Sequence, residues 1–213
     1  MRLRNIPGAK EFVSAHPLVF AEKAALACAG KWRQVFAQDG PIHLEVGMGR
    51  GKFILNSALA EPEINFLALE IREEMVFNTI ERMETMEIQP KNLRFLWLNA
   101  ELLPEIFAPG EVERIYLNFP DPWPKSRHAK RRLTSQTFLE RYHKILAPQG
   151  LLRFKTDNLP LFQWSLGNFR AAGWNLQDVD LDLPEEKSGV ITEYESRYRR
   201  KGQPIYFLQA SKE

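Results

Sequence analysis

After residue 40 the chain alternates short apolar runs with longer stretches of helical period. "IHLEV" (42–46) reads as a buried strand, and "KFILNSALAE" (52–61) as the helix after it, ended by Pro62. "NFLALEI" (65–71) and "EEMVFNTIERMETM" (73–86) repeat the strand and the helix. "LRFLWLN" (93–99), "VERIYLNF" (112–119), "LLRFKTD" (151–157) and "PIYFLQA" (204–210) continue the strand series. Helical patterns lie between them, including "SQTFLERYHKIL" (135–146), closed by Pro148 and Gly150. Such alternation predicts an α/β fold: a mainly parallel sheet with helices on both faces. In such a sheet ligands sit beyond the carboxyl ends of the strands. Here those ends read "EVGMGRG", "ALE", "LNA", "NFPDPW" and "KTD", all polar or glycine-rich.

The length of 213 residues fits one domain. No repeat, low-complexity tract or linker interrupts it. Residues 1–40 are expected to form an N-terminal extension packed on a domain of residues 41–213. "PLVFAEKAALACAG" (17–30) imitates a signal sequence, but Glu22 and Lys23 break its apolar run, so it reads as an amphipathic helix. No apolar run approaches a membrane span. A single cysteine, Cys28, excludes an internal disulfide and suits a reducing cytoplasm. His16, His43 and His143 read as structural. With no Cys/His cluster, no metal is expected.

The net charge is only +2, yet cations gather at residues 125–132 and 197–201. The first cluster ends "NFPDPWPKSRHAKRR" (118–132), whose three prolines exclude helix and central strand. The prolines fix Asp121 and Trp123 at a strand end, where they can position reactants. Trp123 can stack on a flat base or plug the loop. Lys125, Arg127, His128, Lys130, Arg131 and Arg132 form a cationic strip suited to phosphate. The alternative is a solvated charged face.

"LEVGMGRGKF" sets Glu45, Gly47, Gly49 and Gly51 at the first strand-to-helix turn. This G-x-G-x-G is neither the dinucleotide fingerprint nor a Walker A motif. An acid before the glycines suits a ligand carrying an ammonium group, such as the methionine part of S-adenosylmethionine. Glu70, ending the second strand, stands where an acid grips ribose hydroxyls. Asn99, ending the third, offers a carbonyl acceptor for an adenine amino group, or simply starts a loop. "TEYESRYRRKG" (192–202) is either a salt-bridged turn or a further site element, and Lys155 is open in the same way.

The pieces "EVGMGRGKF", "ALEI", "NFPDPWPKSRHAKRRL", "LLRFKTDN" and "TEYESR" span residues 42 to 198, and "RLR" stands near the start. Together they resemble the bacterial tRNA (guanine-N7)-methyltransferases. The proline-rich motif is specific to that family, whereas the glycine motif belongs to all class I methyltransferases. The resemblance implies a Rossmann-like sheet with an antiparallel last strand, S-adenosylmethionine as donor and a guanine of the tRNA variable loop as acceptor. It implies that Glu45, Gly47, Gly49, Gly51, Glu70, Asn99 and Asp121 hold the cofactor, and that Asp121 is catalytic. It implies that Lys125, Asp157, Thr192, Glu193, Tyr194 and Glu195 hold the guanine nucleotide. Arg127, His128, Ala129, Lys130, Arg131 and Arg132 would contact RNA. Asn99 departs from the Asp usual in the family, keeping the acceptor and losing the charge. The rival readings are an amino-group nucleic-acid methyltransferase, whose [D/N/S]-P-P-[F/Y/W] motif "NFPDPW" loosely matches, and a non-catalytic RNA-binding domain of the same fold.

Overall fold

The computed structural model describes residues 6–212. The "RLR" segment lies outside the described residues, as does the side chain of Glu193. Eight strands form one sheet: β1 (Val19–Ala21), β2 (Ile42–Val46), β3 (Asn65–Glu70), β4 (Leu93–Trp97), β5 (Val112–Asn118), β6 (Leu146–Thr156), β7 (Trp174–Asp180) and β8 (Tyr206–Lys212). Their order is β1-β4-β3-β2-β5-β6-β8-β7. Pairs among β1 to β6 are parallel, while β8 runs antiparallel to both β6 and β7. The helices are α1 (Ala9–Ala15), α2 (Glu22–Leu26), α3 (Lys52–Ala60), α4 (Glu73–Thr85), α5 (Leu103–Ile106), α6 (Gln136–Ile145), α7 (Leu159–Ala171), α8 (Glu185–Ser188) and α9 (Glu193–Arg199).

Every residue of β2 and β3 is buried, because helices cover both faces of the sheet centre. On one face Leu44, Ile115 and Leu117 pack with Phe138, Tyr142 and Phe162 of α6 and α7. On the other, Phe66, Ala68 and Tyr116 pack with Phe53, Ile54, Val76 and Ile80 of α3 and α4. The apolar positions of α6 (Phe138, Leu139, Tyr142 and Ile145) recur at helical spacing, which is why that segment forms an amphipathic helix. Consecutive strands run outward from β2 through β3 to β4, then return to β5 on its other side. The switch point therefore falls between β2 and β5, where a ligand crevice is expected.

Three segments differ from the sequence reading. The stretch 17–30, expected as an amphipathic helix, instead gives β1 and the short α2. Val19, Phe20 and Ala21 pair with Phe95, Leu96 and Trp97 at the sheet edge. The first forty residues also supply Trp32, fully buried and donating its indole N–H to the Ile106 carbonyl at 2.7 Å. Pro148 and Gly150 do not simply close a helix. The chain enters β6 at Leu146, and the register slips between Val112/Leu146 and Arg114/Leu151 around Gln149, whose φ is 63°. The third difference is β7, absent from the reading because "NLQDVD" carries polar residues on an outer strand.

Candidate active site

The glycine turn follows β2 directly. Gly47 and Gly49 have φ of 79° and 53°, in the left-handed region that side chains rarely adopt. Their Cβ positions are nearly open, and the Gly49 N–H donates to Glu70 Oε2 at 3.1 Å. Gly51 is constrained differently. A Cβ there would stand 2.3 Å from Thr79 Cγ2, so this glycine seats α3 against α4.

Glu70 is clamped by its neighbours. Its Oε1 accepts the N–H groups of Ile71 and Arg72 at 2.9 and 3.1 Å. Burial pushes its carboxyl above the usual range, and the three backbone donors oppose the shift. Glu45 is buried more completely. One oxygen accepts the Asn118 side-chain amide at 2.9 Å, while Oε2 is buried with no partner. Burial raises this carboxyl to about 8, Asn118 opposes, and Glu70 adds to the rise. A buried carboxylate oxygen without a donor is costly unless a cation or donor reaches it. Asn99 leads into a short 3-10 turn, its side-chain oxygen accepting the Glu101 N–H at 2.9 Å.

The loop after β5 is held in a strained shape. Phe119 and Trp123 carry φ of 50° and 41°, which costs a non-glycine residue on the order of 1–3 kcal/mol each. They flank Asp121, whose side chain is exposed. Arg132 holds the loop from behind: its guanidinium donates to the Pro122 carbonyl at 3.1 Å and the Trp123 carbonyl at 3.0 Å, and lies over the Trp164 ring. Arg131 lies over Trp123 with its carbon 5.0 Å from the ring centroid, and His128 meets the same ring edge-on. Lys125, Arg127 and Lys130 are exposed along the 3-10 segment Ser126–Arg131, with Ala129 half-buried. The cationic strip is thus divided between a buttress, Arg132, and outward-facing charges.

The residues of α9 are placed less simply than the resemblance implied. The Thr192 hydroxyl oxygen caps the helix by accepting the Glu195 N–H at 2.8 Å. The Glu195 carboxylate is fully buried, with Lys155 at 3.1 Å on one oxygen and Arg199 and Ser188 on the other. Lys155 and two further hydrogen bonds keep Glu195 below the usual carboxylate range despite burial, while burial lowers Lys155 to about 8. Tyr194 is exposed, stacked on Tyr198 at 4.5 Å and 5.0 Å from the Phe119 ring. Burial and the Tyr198 hydrogen bond raise the Tyr194 hydroxyl, and Asp157, half-buried after β6, adds to the rise.

Several of these elements meet in one cavity of about 670 Å³. Gly47, Gly49, Glu70, Asn99, Asp121 and Arg131 line it. Glu45, Gly51, Asp157, the α9 residues and, Arg131 apart, residues 125–132 do not. Sequence reasoning missed its apolar walls, Ile71, Leu133 and Phe138 among them. One signal was available, that Ile71 follows an acid at a strand end; the structure leaves it 58% exposed. It also missed the pairing of Asn118 with Glu45. Among the described residues no group of three or more His, Cys, Asp or Glu could hold a metal, and no helix is long and apolar enough to cross a membrane.

A parallel sheet with a glycine turn at its switch point, acids ending successive strands and a last strand inserted antiparallel defines a Rossmann-like class I methyltransferase. The comparisons agree with this class. A family profile described as "Putative methyltransferase" matches residues 39–208. The chain is similar to the tRNA (guanine-N(7)-)-methyltransferase of Lachnoclostridium phytofermentans, 45% identical over 100% of this chain and 99% of that one. It is 42% identical to the enzyme of that name from Bacillus licheniformis, covering 99% of this chain and 98% of the other. Among solved structures, the 16S rRNA methyltransferase KamB superposes with a TM-score of 0.65 at 21% identity, covering 85% of this chain and 92% of that one, which is a likeness of fold. The chain belongs to the tRNA (guanine-N7)-methyltransferase family.

Proposed function

We propose that the protein transfers a methyl group from S-adenosylmethionine to N7 of a guanine in the variable loop of tRNA. The observation that carries this reading is convergence: the glycine turn, Glu70, Asn99 and the Asp121 loop line one cavity at the switch point of the sheet. Full-length similarity to enzymes named for that reaction supports the substrate.

The residues fit such a cofactor. The unpartnered Glu45 oxygen suits an ammonium group, in the strand that leads directly into the lining residues Val46 and Gly47. Glu70 suits ribose hydroxyls, Asn99 an adenine amino group, and Gly47 and Gly49 leave the backbone open to close approach. When bound, S-adenosylmethionine supplies an electrophilic methyl group on a sulfonium centre. Guanine N7 has an in-plane lone pair and no proton to lose, so the protein needs no strong base. Asp121, on the cavity wall, would offset the positive charge that develops on the base. Arg132 and the strained backbone hold Asp121 in place before substrate arrives, so that positioning supplies much of the rate. Lys125, Asp157, Thr192, Glu193, Tyr194 and Glu195 form the guanosine side. In that role Thr192 and Glu195 act by building α9, while Tyr194 presents its ring. Arg127, Lys130 and Arg131, with His128 and Ala129, face the RNA backbone. The setting is the cytoplasm.

The test is transfer of labelled methyl to unmodified tRNA, followed by nucleoside analysis. The expected product is 7-methylguanosine. A methylated adenine or cytosine amino group would overturn the guanine reading, and binding of tRNA without transfer would favour a non-catalytic RNA binder.

A further inference from the structure

A second cavity, of about 350 Å³, shares no lining residue with the first. It lies on the α3 face of β5 and β6. Alternation along β5 puts Arg114, Tyr116 and Asn118 on one face, and the register pairs Tyr116 with Arg153 and Asn118 with Lys155. Three cations, Arg114, Arg153 and Lys155, therefore point from adjacent strands into one space closed by residues 188–190. Lys155 is paired with Glu195, which it shares with Arg199.

The two arginines have no such ion pair, although Tyr116 hydrogen-bonds Arg114 and the charges of Asp178 and Glu195 act on Arg153. Among the described residues neither makes an ion pair within 4 Å, and the Nε of each is buried without an acceptor. Arg153 gives one weak hydrogen bond, from Nη2 to the Lys187 carbonyl at 3.3 Å, and lies over the Phe207 ring. Arg114 stands beside Tyr116 and His43, and burial with the Arg114 charge lowers His43 to about 3, so that ring stays neutral. Among the described residues Glu61 is the one carboxylate on the cavity wall. A buried donor without an acceptor costs about 1–3 kcal/mol, and like charges on neighbouring strands repel. An anion placed between the two guanidinium groups offsets their repulsion. Guanidinium forks match the paired oxygens of a phosphoryl group bidentately, as they do those of a carboxylate.

We propose that this cavity is an oxyanion site in which Arg114 and Arg153 hold a phosphoryl group under the cover of residues 188–190. The source is either a backbone phosphate of bound RNA or a free phosphate or small phosphoester. The site does not depend on the proposed methyl transfer.

The experiment titrates inorganic phosphate into the full-length protein at constant ionic strength, with chloride as control, and follows the thermal midpoint. The wild type is expected to show a saturable rise absent with chloride. In Arg114→Gln/Arg153→Gln the phosphate concentration for half the rise should increase at least about tenfold. Should that variant fail to fold, the Nε–Hε resonances of Arg114 and Arg153 in the wild type report directly, and both should move as phosphate saturates. No rise in the wild type, an equal rise in the variant, or unmoved resonances would overturn the proposal. Repeating the titration with tRNA bound separates the sources: loss of the phosphate response assigns the site to an RNA phosphate, and survival assigns it to a free phosphate. Either result retains the site whether or not the RNA is methylated.

Discussion

Asn118 donates its side-chain amide to Glu45 across 2.9 Å, at the point where the strand order reverses between β5 and β2. That one bond leaves the second oxygen of a fully buried carboxylate without a donor. The pair joins the proline-rich loop to the glycine turn, because Asn118 begins the one and Glu45 precedes the other.

With no ligand bound, burial holds the Glu45 proton to about pH 8. An ammonium group binds the ionised form better, so cofactor affinity should rise with pH up to about 8, above which the ligand's own α-ammonium deprotonates and the rise ends. The limiting slope is about tenfold per pH unit. Calorimetry between pH 6 and 8.5, in buffers of different ionisation heat, should also detect proton release. The sign for stability is opposite. The folded value exceeds the ordinary 4.5, so ionisation costs stability increasingly from about pH 4.5 to about 8. Glu45→Gln should remove both dependences while keeping the fold.

Glu195→Ala should destabilise the protein by about 3–5 kcal/mol, since it strands the buried Lys155 charge. Urea unfolding measures this. The Glu195 carboxyl is held below its ordinary 4.5, so its contribution is full above that pH and is lost as pH falls through the folded value. A loss below about 1 kcal/mol would mean that the pair merely bridges a surface.

The fold was largely legible because β2, β3 and the helices after them follow strong hydrophobic patterns. β1 was not, being three residues long, and β7 was hidden by its polar positions. The Thr192-Glu193-Tyr194-Glu195 spacing carries a helix-start signature, Thr or Ser followed three residues later by Glu. That signal is legible, and the cap it predicts forms between the Thr192 hydroxyl and the Glu195 N–H. The acids at strand ends were legible, because few structural reasons place a carboxylate there. What no one-dimensional pattern could give was partnership: Asn118 with Glu45 lies 73 residues apart, and Lys155 with Glu195 lies 40 apart.

Arg132→Ala should lower turnover by about tenfold or more with little change in tRNA affinity, because it frees the backbone around Asp121. Arg127→Gln with Lys130→Gln should do the reverse, weakening tRNA binding. Each lost phosphate contact should flatten the log–log salt dependence by roughly 0.7 to 0.9. Single-turnover rates and filter binding separate the two effects.

Asn99→Asp should keep or improve cofactor affinity. The new carboxylate can still accept the Glu101 N–H, and its charge strengthens an adenine hydrogen bond. A calorimetric loss of more than about tenfold, or about 1.4 kcal/mol, would show that the Asn99 amide donates to the ligand.

Asp121→Ala should cut transfer by about 100-fold or more while leaving cofactor binding and the thermal midpoint near wild type. Near-normal turnover would show that Asp121 only shapes the loop.

The most direct measurement replaces the target guanosine of tRNA by 7-deazaguanosine, which exchanges the N7 lone pair for a C–H and keeps the Watson–Crick edge, sugar and phosphates. Transfer of radiolabelled methyl and filter binding are followed on the same RNA. Methyl transfer to guanine N7 predicts nearly normal binding and no label at that nucleotide. Continued methylation of the substituted nucleotide would contradict it.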